Sequence, residues 1–234
     1  MWKNNDRSSN LRLLAVEFLI ESAHQLKVTP IVKYTALSLF ADRFHPSLSR
    51  FVGQHDKGNW LLHPLTESNL QLFALVSMWI SSKIHDSRPF SVKMLKNLSD
   101  KSIREQHFTS RDFLEAEVLF LQVLNYEIGA GNIAFAFLED LLAQFRAVAK
   151  VGEFVNIEAC MDIMDLLYEK EKTSILYCSP RSLAASTLVA SYVIAVPKQR
   201  WKFPVLPWVK FVSSFKEEDV VEIVRDILKH VFEP

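Results

Sequence analysis

Leu70-Gln71-Leu72-Phe73-Ala74-Leu75-Val76-Ser77-Met78-Trp79-Ile80-Ser81-Ser82-Lys83 is the stretch on which the fold turns. Ala74, Ser77, Met78 and Ser81 recur at i, i+3, i+4 and i+7, so they share one face of a helix, while Leu, Phe, Val, Trp and Ile occupy its other faces. A helix that is apolar nearly all round is buried in a bundle, and small side chains along one face let neighbouring helices approach closely. The apolar run from Leu70 to Ile80 is too short for a membrane span, which needs about 20 residues. The helix is predicted from Thr66 or Glu67 to His85, with Arg88-Pro89 beyond its end.

Working outward, apolar residues follow a helical period from Leu11 to Leu26, with Ser8, Ser9 or Asn10 available as a cap and residues 1–10 as a short N-terminal segment. Thr29-Pro30 starts a second helix that is predicted to end near Phe44. His45 to Ser68 holds Pro46, Gly53, Gly58 and Pro64 without a sustained period and reads as a connection, far longer than the usual 4 to 6 or so residues. Ser91 to Leu98 is a short amphipathic segment, and Thr109-Ser110-Arg111-Asp112 resembles a capping box opening a helix through Leu124.

Gly129 and Gly131 mark a boundary, which gives 11–128 as one helical unit and 129–234 as a second. In the second, Ile133 to Val148 and Val155 to Tyr168 are amphipathic, and Ser179-Pro180 opens a helix whose Leu183 to Ser191 is again small and apolar all round. Pro197, Pro204 and Pro207 punctuate the chain before Ser214-Phe215-Lys216-Glu217, a capping box for a last helix through Val231. The expected class is all-α, about ten helices in two sets of five.

Composition agrees with a globular helical protein: 234 residues, 49% hydrophobic, 23% charged, and only five glycines and nine prolines. Lys plus Arg and Asp plus Glu both number 27, so no global field favours a nucleic-acid backbone or an anionic membrane. Two cysteines, Cys160 and Cys178, are too few for a disulfide framework and lack metal-ligand spacing. No signal-peptide core is present, which points to an intracellular protein. No nucleotide-binding, serine-hydrolase or zinc-hydrolase motif occurs, no cofactor is called for, and no two of the seven histidines form a helical i, i+4 pair. Lys198, Arg200, Trp201 and Lys202 form a small basic-aromatic cluster of a kind that can contact nucleic acid, although in a neutral chain a solvated turn is the simpler reading.

Four segments in order resemble the cyclin box. Leu11 to Glu21, Leu-Arg-Leu-Leu-Ala-Val-Glu-Phe-Leu-Ile-Glu, is similar to the family's first helix, Met-Arg-Ala-Ile-Leu-Val-Asp-Trp-Leu-Val-Glu. Ala41-Asp42-Arg43-Phe44 resembles the Asp-Arg-Phe that ends its second helix, and Leu70 to Lys83 its third, which closes Ala-Ser-Lys. Glu117 and Leu121-Gln122-Val123-Leu124-Asn125-Tyr126-Glu127 resemble the fifth. The match runs from Leu11 to Ile128 and continues more thinly through Tyr177-Cys178-Ser179-Pro180. The whole looks most like the short plant cyclins of the J type.

This resemblance implies two tandem five-helix cyclin folds and a non-catalytic regulator that binds and activates a cyclin-dependent kinase in cell-cycle control, in nucleus or cytoplasm with the nucleus favoured. Lys83 and Glu117 match the pair that contacts the kinase; otherwise Lys83 reads as a lysine complementing a helix terminus. Phe120 is expected to add contact area. Arg12 and Asp42 match a structural ion pair. Leu11, Leu14, Phe18, Glu21, Leu70 and Gln71 match a docking patch for Arg-x-Leu substrates or inhibitors, with two departures: Phe18 replaces the usual tryptophan and Ala15 a common leucine. Ile84, His85 and Asp86 stand where the family often has an aromatic and two acids. The competing reading is a cyclin-fold transcription adaptor that binds DNA or a transcription partner, against which the neutral charge counts.

Overall fold

The computed structural model describes residues 2–55, 59–129, 132–169, 179–213 and 215–232. Expectations resting on Gly58, Gly131, Tyr177, Cys178 and Ser214 fall outside them. The chain divides into two compact units, Met1–Ala130 and Gly131–Pro234, and among the described residues both are helical without strands.

In the first unit α1 runs from Trp2 to Leu26. It therefore starts nine residues before the apolar period does, and Ser8 to Asn10 lie inside the helix instead of capping it. Periodicity marks only the packed part of a helix, whereas hydrogen bonding propagates from that part into a polar end. The helix closes with Val28 N–H donating to Ala23 O and Lys27 N–H to His24 O, both at 3.1 Å, and with Lys27 at φ 52°, the left-handed position usually taken by glycine.

Pro30 then occupies the first turn of α2 (Pro30–Leu37), where its missing N–H costs nothing. The second helix does not end at Phe44. A π-helical segment, Ser38–Phe44, leads directly into α3 (His45–His55), and backbone angles at Ser38 and His45 remain right-handed helical. Pro46 reads as a breaker because it brings no N–H to the ladder. In the turn before it the hydrogen bonding widens to i→i−5, His45 N–H donating to Phe40 O, and the rod passes through the proline. Much of the expected connection is thus helix.

Helix α4 (Glu67–His85) is capped by Thr66, whose hydroxyl accepts from Asn69 N–H at 3.2 Å. It packs on α1, α2, the π segment, α5 (Val92–Ser102) and α6 (Ser110–Val123). Ala74, Ser77, Met78 and Ser81 are all completely buried, and Ser81 Oγ donates to Val32 O at 2.7 Å, tying α4 to α2. Phe44 joins three elements: it stacks on Phe120 of α6 with centroids 4.4 Å apart and tilts against Phe73 of α4 at 4.8 Å. Thr109 and Asp112 form the expected reciprocal capping box at the start of α6.

The second unit consists of α7 (Ala134–Val148), α8 (Ile157–Glu169), α9 (Pro180–Ala195), α10 (Val205–Ser213) and α11 (Glu217–Phe232), with short 3-10 turns at Lys150–Phe154 and Lys198–Arg200. Small-residue α9 is its hub, packing on each of the other four helices. Pro207 sits within the first turn of α10, where no hydrogen bond is lost, so it punctuates the chain without preventing a helix. With the continuous Pro30–His55 rod taken as one helix, the described residues form two sets of five.

Candidate functional site

The last turn of α4 and the middle of α6 bring together the two residues singled out by sequence. Lys83 Nζ donates to Glu117 Oε1 at 2.5 Å, with side-chain exposures of 38% and 18%. A third residue, not singled out beforehand, completes the arrangement. Lys83 Nζ lies 3.6 Å from the centroid of the Trp79 ring, one turn back on α4. That indole is held from its edge, Trp79 Nε1 donating to Phe90 O at 2.9 Å, and Phe90 N–H in turn donates to Ser82 Oγ at 3.2 Å. The chain leaving α4 thus clamps the ring on which the ammonium rests. Lys83 also sits at the C-terminal end of α4, where a cation complements the helix dipole. His85, two residues on, is bound through Nε2 to Thr35 Oγ1 at 2.8 Å, fixing the same turn to α2.

Phe120 has no accessible surface, which corrects the expectation that it supplies contact area. Its side of α6, with Phe113, Ala116 and Val123, faces the core because Phe44 and its neighbours fill that space. The apolar residues that are uncovered beside the ion pair are Leu114 (52% exposed) and Val118 (51%) on α6 and Ile84 (38%) on α4. Leu114, Glu117 and Val118 fall at i, i+3 and i+4 on one face. α6 is apolar on two sides, and periodicity could not say which side meets the core; the signal available in sequence was an apolar stripe too wide for one contact.

α6 ends unusually. Asn125 and Tyr126 both have positive φ, 51° and 60°, and Arg43 of the π segment donates to Glu127 O immediately after them. Tyr126 N–H reaches back to Leu121 O at 2.8 Å. Arg43 therefore fixes the exit of the helix that carries Glu117.

The other expected site residues are placed as follows. Leu11, Leu14 and Phe18 are half-buried on α1, Glu21 is exposed and accepts from Gln25 Nε2 at 3.0 Å, and Gln71 on α4 donates to Glu67 at 3.0 Å. Leu70 is fully buried and presents no surface, which corrects the expectation that it belongs to the docking patch. Arg12 is buried and Asp42 exposed. In the basic-aromatic cluster, Arg200 packs over Phe154 at 4.5 Å and Trp201 Nε1 donates to Val196 O at 2.7 Å, so both are engaged within their own unit. Among the described residues no group of three or more His, Cys, Asp or Glu side chains could hold a metal ion, and no helix is long and apolar enough to cross a membrane.

The model of the cyclin N-terminal domain matches residues 1–129. The chain belongs to the cyclin family. This cyclin is 61% identical over 222 residues to Cyclin-J18 of Arabidopsis thaliana, covering 95% of both chains. It is 53% identical over 225 residues to Cyclin-J18-like of Oryza sativa subsp. japonica, covering 94% of this chain and 86% of the relative, which places it with the plant J type. Among solved structures, a viral cyclin from herpesvirus saimiri superposes with a TM-score of 0.70 at 18% identity, over 96% of this chain and 86% of that one, in keeping with tandem cyclin folds. Membership makes this cyclin a regulatory, non-catalytic protein. Its surface groups are accordingly a matter of recognition.

Proposed function

We propose that this cyclin activates a cyclin-dependent protein kinase by docking the ends of α4 and α6 against the kinase αC helix. The observation that carries the reading is the Lys83–Glu117 pair at the surface, framed by uncovered Leu114, Val118 and Ile84. A positioned charge pair gives register, and the apolar residues beside it give area that association can bury. Seating αC brings its glutamate to the β3 lysine that positions ATP, a pairing required for phosphoryl transfer. The cyclin contributes differential affinity for the active kinase state and no chemistry of its own. Leu11, Leu14, Phe18 and Glu21 on α1 serve as a separate surface for Arg-x-Leu substrates or inhibitors, and the working compartment is the nucleus, in cell-cycle control.

The test is affinity capture from native plant extract with the wild-type chain and with Leu114→Asp/Val118→Asp, followed by kinase identification and a phosphorylation assay. Both positions are half exposed, and circular dichroism of the variant checks that it folds. Capture of an active kinase by wild type and its loss in the variant is the expected result. Equal capture by both would remove α6 from the interface.

A further inference from the structure

The groove between the last turn of α1 and the outer side of α5 takes no part in the arrangement described above. It encloses about 400 Å³ and is lined by Gln25 and Leu26 from α1 and by Lys93, Met94, Asn97 and Lys101 among the α5 residues. Met94 is partly exposed, and Leu98, also in the lining, is nearly buried, so an apolar strip runs beneath polar groups. No Asp or Glu lines it. Lys93 and Lys101 are exposed and have no carboxylate partner among the described residues. The neighbouring Lys96 differs: it lies outside the lining and is neutralised by Asp100 at 2.5 Å, which also accepts from His107 at 3.4 Å.

Lys93, Asn97 and Lys101 are spaced i, i+4 and i+8, on one side of the helix. Eight residues of helix rise about 12 Å, which sets the separation of the two ammonium-bearing positions. In an extended peptide, residues three or four apart are about 10 to 14 Å apart. We propose that this groove docks an extended acidic peptide segment, two carboxylates three or four residues apart meeting Lys93 and Lys101 and an aliphatic side chain between them resting on Met94 and Leu98. Asn97 and Gln25 offer donors and acceptors to the peptide backbone. The surface ascribed to Arg-x-Leu motifs must receive a cation, so the two surfaces select opposite charge. A nucleic-acid strand would satisfy the lysines, yet it brings no aliphatic group for the strip.

The probe is a fluorescein-labelled peptide, Gly-Asp-Ser-Leu-Ser-Asp-Gly, titrated with the full chain by fluorescence polarisation at low salt. Its Leu→Gly and Asp→Lys counterparts and a twelve-nucleotide oligothymidine serve as comparisons. Wild type is expected to bind the acidic leucine peptide, to bind the glycine version about fivefold or more weakly, and not to bind the lysine version. Lys93→Glu/Lys101→Glu is expected to weaken binding about tenfold or more, while Lys96→Glu leaves it within about twofold. The leucine-against-glycine comparison needs no variant protein. The proposal is overturned by absence of binding, by equal affinity for the leucine and glycine peptides, by equal losses in Lys96→Glu and the double variant, or by oligothymidine binding that depends on the same two lysines.

Discussion

Lys83 and Glu117 can be separated as parts of the fold and as parts of an interface by measuring the same substitutions in two assays. Lys83→Ala removes an ion pair that is more than one-third exposed on the lysine side, worth about 0.2–1 kcal/mol after solvent screening. It also removes the ammonium from the Trp79 face, worth about 0.5–1 kcal/mol at an exposed site. The sum is about 0.7–2 kcal/mol, well inside the roughly 5–15 kcal/mol that holds a domain together. Glu117→Ala is expected to cost about 1 kcal/mol, because Lys83 keeps its seat on Trp79. Unfolding in urea, followed by circular dichroism, should therefore show both single variants and the double variant folded, with coupling of about 0.2–1 kcal/mol. At a kinase interface the pair is desolvated, and losing one partner there costs about 2–5 kcal/mol, or roughly 30-fold and more in Kd. Titration calorimetry with the captured kinase measures that side. A stability loss above about 3 kcal/mol with unchanged kinase affinity would refute the reasoning and make the pair a fold device.

Two further outcomes test the fold itself. Lys27→Gly should raise stability by about 1 kcal/mol, read as an upward shift of the urea midpoint, since the left-handed residue at φ 52° that ends α1 strains any side chain and suits glycine. Burial pushes the Cys160 thiol above its ordinary range, so this cysteine should resist iodoacetamide at pH 8 in the native protein and react once urea unfolds it, as mass mapping of the Cys160 peptide will report. The sign for stability follows: the unfolded thiol loses its proton first, so the contribution is complete below about pH 8.5 and declines as pH rises beyond it.

The fold was legible where burial imposes a period. Ala74, Ser77, Met78 and Ser81 named α4 as the centre of its unit, Thr66 marked its start, and Ser179-Pro180 opened α9. Reading failed where continuity of hydrogen bonding outweighs composition. The polar turns before Leu11 are helix, and Pro46 is spanned because the preceding turn opens to i→i−5. At the site, Lys83 and Glu117 were legible through resemblance to a family pattern, and their contact follows from the packing of α4 on α6. Trp79 was legible in principle, being i−4 to Lys83. Phe120 proved to be core and Leu114 exposed, and the sequence could not separate them because an apolar residue on a helix with two apolar sides carries no mark of which side the core will take. That is decided by a long-range partner, Phe44, 76 positions from Phe120 in the chain.

The same stack explains why a surface pair can have a defined geometry at all. Glu117 is one turn from Phe120, and Phe120 lies nearly parallel to Phe44, with 5° between the rings, so the rotation of α6 about its axis is set from inside. Arg43, next to Phe44, holds the carbonyl of Glu127 at the helix exit. Two adjacent residues of the π segment thus fix α6 at its middle and at its end. On the other side, Trp79 is pinned at Phe90 and fixes where the lysine can rest. The carboxylate and the ammonium meet because each is positioned by buried or clamped aromatic groups, leaving Leu114 and Val118 outward and about half exposed. The small-residue seam of α4 accounts for the rest: with Ala74, Ser77 and Ser81 in place the helices close tightly enough for the Phe44 stack to form.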